Sequence, residues 1–141
     1  MAADPSVYAL DSFALLAYLE GEPGKTRVEE LLAAAQSGKN AIYLSLINLG
    51  EVLYIIEREQ GLFLAHQALA AVDQLPLRIV EVSRATVLAA AHIKAHHALS
   101  YADAFAVATA LEHHGVLVTG DPEFRSVADI ALVAVEWLPL R

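Results

Sequence analysis

The chain contains no cysteine, which excludes disulfide scaffolds, thiolate zinc sites and cysteine nucleophiles together. Basic residues are scarce as well. Nine Lys and Arg stand against seventeen Asp and Glu, for a formal net charge of −8. Proteins that coat nucleic acid through their own cations are usually basic, because Lys and Arg displace phosphate counterions, so either the ligand is not a polyanion or bound divalent cations and a few local basic groups supply the attraction. Long apolar runs are also missing: the longest uninterrupted one covers residues 13–19, far short of a membrane span. The opening residues 1–5 place no basic residue ahead of an apolar stretch and do not read as a secretory signal. Together with the absence of cysteine, this fits a soluble protein of a reducing cytoplasm.

What is present is apolar. Hydrophobic residues make up 57% of the 141 positions and charged ones 18%, a balance that excludes disorder. The length suits one domain over 1–141 with a core of its own. So high an apolar fraction leaves little polar surface to spread around, which implies apolar area facing a partner.

Periodicity gives alternating elements. Residues 7–10 form a short apolar run that stops at Asp11, the pattern of a buried strand followed by a turn. Helical spacing follows over 12–20 and again over 26–36, and residues 41–44 return to strand. Ser45 is positioned as an N-cap for a helix reaching about Glu59, and another helix covers 62–74 before Pro76. A β-rich run at 78–82 precedes Ser83, which caps a helix over 84–97. Ser100 starts one more helix, ending near residues 114–115. Residues 116–119 are the clearest strand, closed by the turn Gly120-Asp121-Pro122, and the apolar run 130–135 is a last strand. Such alternation predicts an α/β three-layer domain with a mostly parallel sheet. In sheets of that kind, ligands bind beyond the carboxyl ends of the strands.

Four acids stand where acids are costly. Asp11 and Asp121 each directly follow a strand, although an N-cap or an Asp-Pro turn accounts for either one alone. Glu51 shares a helix face with Ile47 and Ile55, and a lone buried carboxylate costs several kcal/mol unless paired, protonated or bound to metal. A buried salt bridge is the ordinary explanation, but so lysine-poor a chain disfavours it and favours a functional role for Glu51. Asp103 occupies the first turn of a helix that is apolar nearly all round from Tyr101 to Leu111; the helix dipole steadies an anion there, but less convincingly inside an apolar element. Drawn to one end of the sheet, the four would repel by roughly 4 kcal/mol per close pair unless a cation joined them. Oxygen-only ligands select hard cations, Mg²⁺ or Mn²⁺ rather than zinc. Such a site suits phosphodiester cleavage by metal-activated water, and the metal would bridge an acidic protein to phosphate.

The segments that carry these acids, Leu10-Asp-Ser-Phe-Ala-Leu-Leu16, Asn48-Leu-Gly-Glu-Val-Leu53, Tyr101-Ala-Asp-Ala-Phe105 and Val118-Thr-Gly-Asp-Pro-Glu-Phe124, resemble in order and spacing the PIN-domain family. Within it they resemble the VapC-type toxins of prokaryotic toxin–antitoxin pairs. The resemblance implies a five-stranded parallel sheet and a ribonuclease whose metal is held by Asp11, Glu51, Asp103 and Asp121. Thr119 matches a hydroxyl position beside that quartet, and Ser12 and Asn48 are candidate supports. Where family members carry a further Asp two residues after the fourth acid, this chain has the longer Glu123. A homodimer and a VapB-type antitoxin that covers the active site are also implied.

Other polar residues were weighed against ordinary surface roles. His92 and His96 are spaced i, i+4, but no Glu follows the first and no third ligand is evident, so a solvated face is expected. The same holds for His66, His97, His113 and His114, while packing is expected for Trp137. Among Lys25, Arg84 and Arg125, the last is the nearest in sequence to Asp121 and the foremost candidate for an RNA phosphate contact. Two other functions use similar acids. A Mg-dependent phosphoryl-transfer domain with Asp11 as nucleophile requires a lysine at the phosphoryl group, and none of Lys25, Lys39 and Lys94 follows a strand. A catalytically inactive PIN-like interaction module would lack one of the quartet.

Overall fold

The computed structural model describes residues 6–130 and 132–140. Its strands are β1 (Val7–Leu10), β2 (Ala41–Ser45), β3 (Arg78–Val80), β4 (Val116–Thr119) and β5 (Val135–Trp137). They form one sheet in the order β3-β2-β1-β4-β5, with every neighbouring pair parallel. The helices are α1 (Ser12–Glu20), α2 (Lys25–Gln36), α3 (Leu46–Gln60), α4 (Leu62–Asp73), α5 (Arg84–His96), α6 (Tyr101–Glu112) and the short α7 (Arg125–Ala128), which a 3₁₀ turn at Pro122–Phe124 precedes.

Parallel strands need crossovers, and the crossovers cover both faces. On one face Tyr8, Leu10, Ile42, Leu44 and Val118 pack with the apolar sides of α1 to α4. On the other, Ala9 and Leu117 meet α5 and α6, with Phe124 and Val127 closing the layer. Adjacent strand residues thus turn to opposite faces, as the period of two requires. Helix α6 lies deepest, with every residue from Asp103 to Ala110 buried, which accounts for its apolar character all round.

The expected strand at 130–135 is displaced. Ile130 is exposed at 61% while Val133 is buried at 4%, and pairing begins only at Val135, opposite Leu117. Residue 131 lies outside the described residues. The strand was disguised by Glu136 in its middle, whose carboxylate takes two bonds from Arg27, from Nε at 2.8 Å and from Nη2 at 3.0 Å. That fork ties the sheet edge to α2, and composition alone does not reveal it. Trp137, where packing was expected, is half exposed on the same edge strand. His113 also departs from a solvated face: its ring stacks on Tyr43 with centroids 3.7 Å apart. His92 and His96 lie exposed on α5, with their rings edge to face. Among the described residues no helix is long and apolar enough to cross a membrane.

Candidate functional site

Strand β1 has β2 on one side and β4 on the other, so the chain order reverses between β1 and β4. A crevice opens at such a switch point beyond the carboxyl ends of the strands. Leu10 is in register with Val118, which places Asp11 and Thr119 side by side just past the last paired residues. Asp11 caps α1: its Oδ1 accepts from the Ala14 N–H at 2.8 Å. Its Oδ2 accepts from the Thr119 hydroxyl at 2.5 Å. Thr119 Oγ1 in turn accepts from the Asp121 N–H at 3.0 Å, and Asp121 Oδ1 accepts from the Glu123 N–H at 2.9 Å. A continuous run of bonds therefore joins the first acid to the turn that carries the last.

The other two acids arrive from helices. Ser45 ends β2 and caps α3, accepting from the Ile47 N–H, so Asn48 falls in the first turn and Glu51 in the second. Asn48 is fully buried. Its side-chain amide donates to Ser12 Oγ at 3.3 Å and to the Ala102 carbonyl at 3.1 Å, while Ser12 Oγ donates to the Asn48 carbonyl at 3.3 Å. Asn48 thus touches the neighbours in sequence of both Asp11 and Asp103. Ser100 caps α6 through the Asp103 N–H at 3.1 Å, presenting Asp103 in the first turn.

Together these elements enclose a cleft of about 430 Å³ lined by Asp11, Ser12, Glu51, Ser100, Asp103, Asp121 and Glu123, and on the apolar side by Phe13, Leu16, Ile55 and Pro122. Five acids line it and, among the described residues, no Lys, Arg or His does. Nor does any of the five form an ion pair among the described residues, which removes the buried salt bridge as the reason for Glu51. Carboxylate oxygens of Asp103, Asp121 and Glu123 all lie within 4.8 Å of one another. Arg125 is exposed at the start of α7 and does not line the cleft. The sequence reading missed Phe13, Leu16, Ile55 and Pro122 as lining residues. For Phe13 the available signal was its position two residues after Asp11, on the first turn of α1.

Crowding shows in the protonation of the two deepest acids. Burial pushes the Asp11 carboxyl up to about 7; the Thr119 and Ala14 bonds pull it back, and the charges of Asp103 and Asp121 raise it further. Burial likewise pushes Asp103 up to about 7, against the Ser100 hydroxyl and with Asp121, Glu51 and Glu123 adding to the rise. These are sites where a negative charge is unfavourable until something positive joins them. The donor set, oxygen throughout with the nearest group spaced for one ion, fits a hard divalent cation. No lysine stands where the phosphoryl-transfer alternative requires one.

The model of one family, the PIN domain, matches residues 8–130. The chain belongs to the PIN-domain family. Solved structures agree on the fold. A chain of VapBC2 from Rickettsia felis, solved with a DNA fragment from its promoter, superposes with a TM-score of 0.73 at 17% identity, covering 94% of this chain and 99% of that one. VapC20 of Mycobacterium tuberculosis, described as a Sarcin-Ricin loop cleaving toxin, gives 0.72 at 21% identity over 94% and 99%. DNA-bound VapBC from Salmonella typhimurium gives 0.71 at 16% over 92% and 96%. No curated protein matches the chain in sequence. The five-stranded parallel sheet flanked by helices is thus the PIN fold, and the family is one of nucleases, with an acidic cluster present here.

Proposed function

We propose that this PIN domain is a metal-dependent endoribonuclease and the toxin of a VapBC-type toxin–antitoxin pair. The reading rests on the convergence of Asp11, Glu51, Asp103 and Asp121 from four separate segments on one cleft that has no basic lining residue among the described ones. Those four acids would hold Mg²⁺, with Mn²⁺ as a substitute, and Glu123, whose carboxylate lies with those of Asp103 and Asp121 within 4.8 Å of one another, would join them. An ion held there would supply an activated water and offset charge on the scissile phosphate. The chain's own residues do the positioning. Thr119 fixes the rotamer of Asp11, Ser100 sets the first turn from which Asp103 projects, and Asn48 with Ser12 holds α1, α3 and α6 at constant spacing. Arg125, exposed one turn beyond Asp121, is free to meet a phosphate outside the cleft.

The loop-cleaving description of the M. tuberculosis protein of similar fold supports RNA as substrate, and the VapBC assemblies of similar fold support a VapB-type partner. Tyr54, Leu62 and Phe63, each more than half exposed around the α3–α4 junction, supply apolar surface for that antitoxin or for a second copy in a homodimer. The decisive experiment is RNA cleavage with Mn²⁺ by the wild type and by Asp11→Asn. Equal activity in both ends the catalytic reading.

A further inference from the structure

A second set of metal ligands lies away from the cleft, on α5. His92 and His96 stand one helical turn apart, a spacing at which side chains are neighbours on the helix surface. Ala90 and Ile93 are buried against the domain and hold the helix in place, while both imidazoles remain in solvent. Their ring centroids are 4.7 Å apart, and among the described residues neither ring takes part in a hydrogen bond or an ion pair. Lys94 lies between them in sequence but not on their face, and its ammonium donates to the Leu99 carbonyl at 2.9 Å. His96 is the last residue of α5, where the negative end of the helix dipole favours a cation.

The geometry points to a chelating site at His92 and His96 for a borderline transition-metal ion, Zn²⁺, Ni²⁺ or Cu²⁺. Imidazole nitrogen suits those ions, whereas Mg²⁺ prefers oxygen. Among the described residues the cleft is lined by carboxylates and by no histidine, so the two places differ in donor type. Once one imidazole has bound, the rigid helix keeps the other within reach of the same ion, and the second bond forms at high effective concentration. Two protein ligands leave the rest of the coordination shell to water, so the ion sits in an open site rather than in a closed structural one. The site stands independently of the nuclease reading.

Isothermal titration with Zn²⁺, in excess Mg²⁺ to occupy the acids, reads the affinity. His92→Ala and His96→Ala, both at exposed positions, should each weaken binding by about a hundredfold, the upper end of what losing a mere support behind a ligand costs. His66→Ala, at an exposed position of α4, should change nothing. His96→Ala combined with Leu88→His sets an imidazole one turn before His92, at a position 55% exposed, and should restore the affinity. His96→Ala combined with Lys94→His puts the imidazole off that face and should not. Equal affinity in those two variants overturns chelation. Electron paramagnetic resonance with Cu²⁺ checks the donors: nitrogen couplings seen in the wild type should be lost when both histidines are replaced by alanine. Couplings that survive the double replacement, or Zn²⁺ binding that Mg²⁺ abolishes, place the ion elsewhere and overturn the site.

Discussion

Thr119 donates its hydroxyl to Asp11 across 108 positions of sequence, at 2.5 Å, and accepts the Asp121 N–H with the same oxygen. One small side chain therefore sets the relative positions of two acids that reach the cleft from different strands. Thr119→Val keeps the shape and removes both bonds. Each buried group left unpaired costs about 1–3 kcal/mol, and the loosened acids should lose ten- to a hundredfold in activity, roughly the effect of removing a support behind a metal ligand. Thr119→Ser should recover most of both. Thermal melting and single-turnover cleavage measure the two losses separately.

Carboxyl crowding makes a second prediction, on stability. The acids of Asp11 and Asp103 ordinarily release their protons near 3.8, whereas in the fold they hold them to about 7. Between those values the folded state binds more protons than the unfolded one, so stability falls as pH rises and the loss is complete above about 7. Without divalent ions the melting temperature contributed by these groups should decline across that window. Mn²⁺ should reverse the decline on its alkaline side, where the carboxylates are free to bind. Calorimetry at fixed ionic strength, with and without Mn²⁺, shows whether it does.

Asp103→Asn follows from the same repulsion. It removes a charge that burial opposes most, with Asp121 and Glu51 adding to the penalty. The metal-free variant should melt higher than the wild type at alkaline pH, each kcal/mol relieved being worth roughly 4 °C. It should also lose the Mn²⁺-dependent rise and the nuclease activity. A variant that is more stable and inactive separates function from folding at one residue.

Glu123 is the fourth test. Its carboxylate approaches Asp103 and Asp121 within 4.8 Å, although family members place an Asp there. Glu123→Gln should weaken Mn²⁺ binding by about tenfold, read by isothermal titration. An unchanged affinity would assign the side chain to the surface.

The alternation of elements and the four acids were legible because each follows from local rules: strand runs end at Asp11 and Asp121, and helix periodicity sets Glu51 on an apolar stripe. Asp103 was legible from the apolar residues around it. Less could be read where a long-range partner decides the outcome. Nothing near Glu136 announces the Arg27 fork that allows a charged residue into the edge strand. The stacking of His113 on Tyr43 joins residues 70 positions apart by number and leaves no local pattern. The apolar wall of the cleft was hidden for a similar reason. Phe13, Leu16 and Ile55 have the spacing of core residues, and only the packing of α1 against α3 turns part of that surface toward the acids.

On the proposed nuclease reading, a cleft whose described lining has acids and no cations has a consequence for how the molecule would meet RNA. Most nucleic-acid enzymes draw in their polyanion by long-range attraction, so added salt slows the encounter. Here a chain of net charge −8 would approach a like-charged strand, and screening the repulsion should hasten the collision. The enzyme would then forage best in a salty, magnesium-rich interior, and would drift past its target in a dilute one.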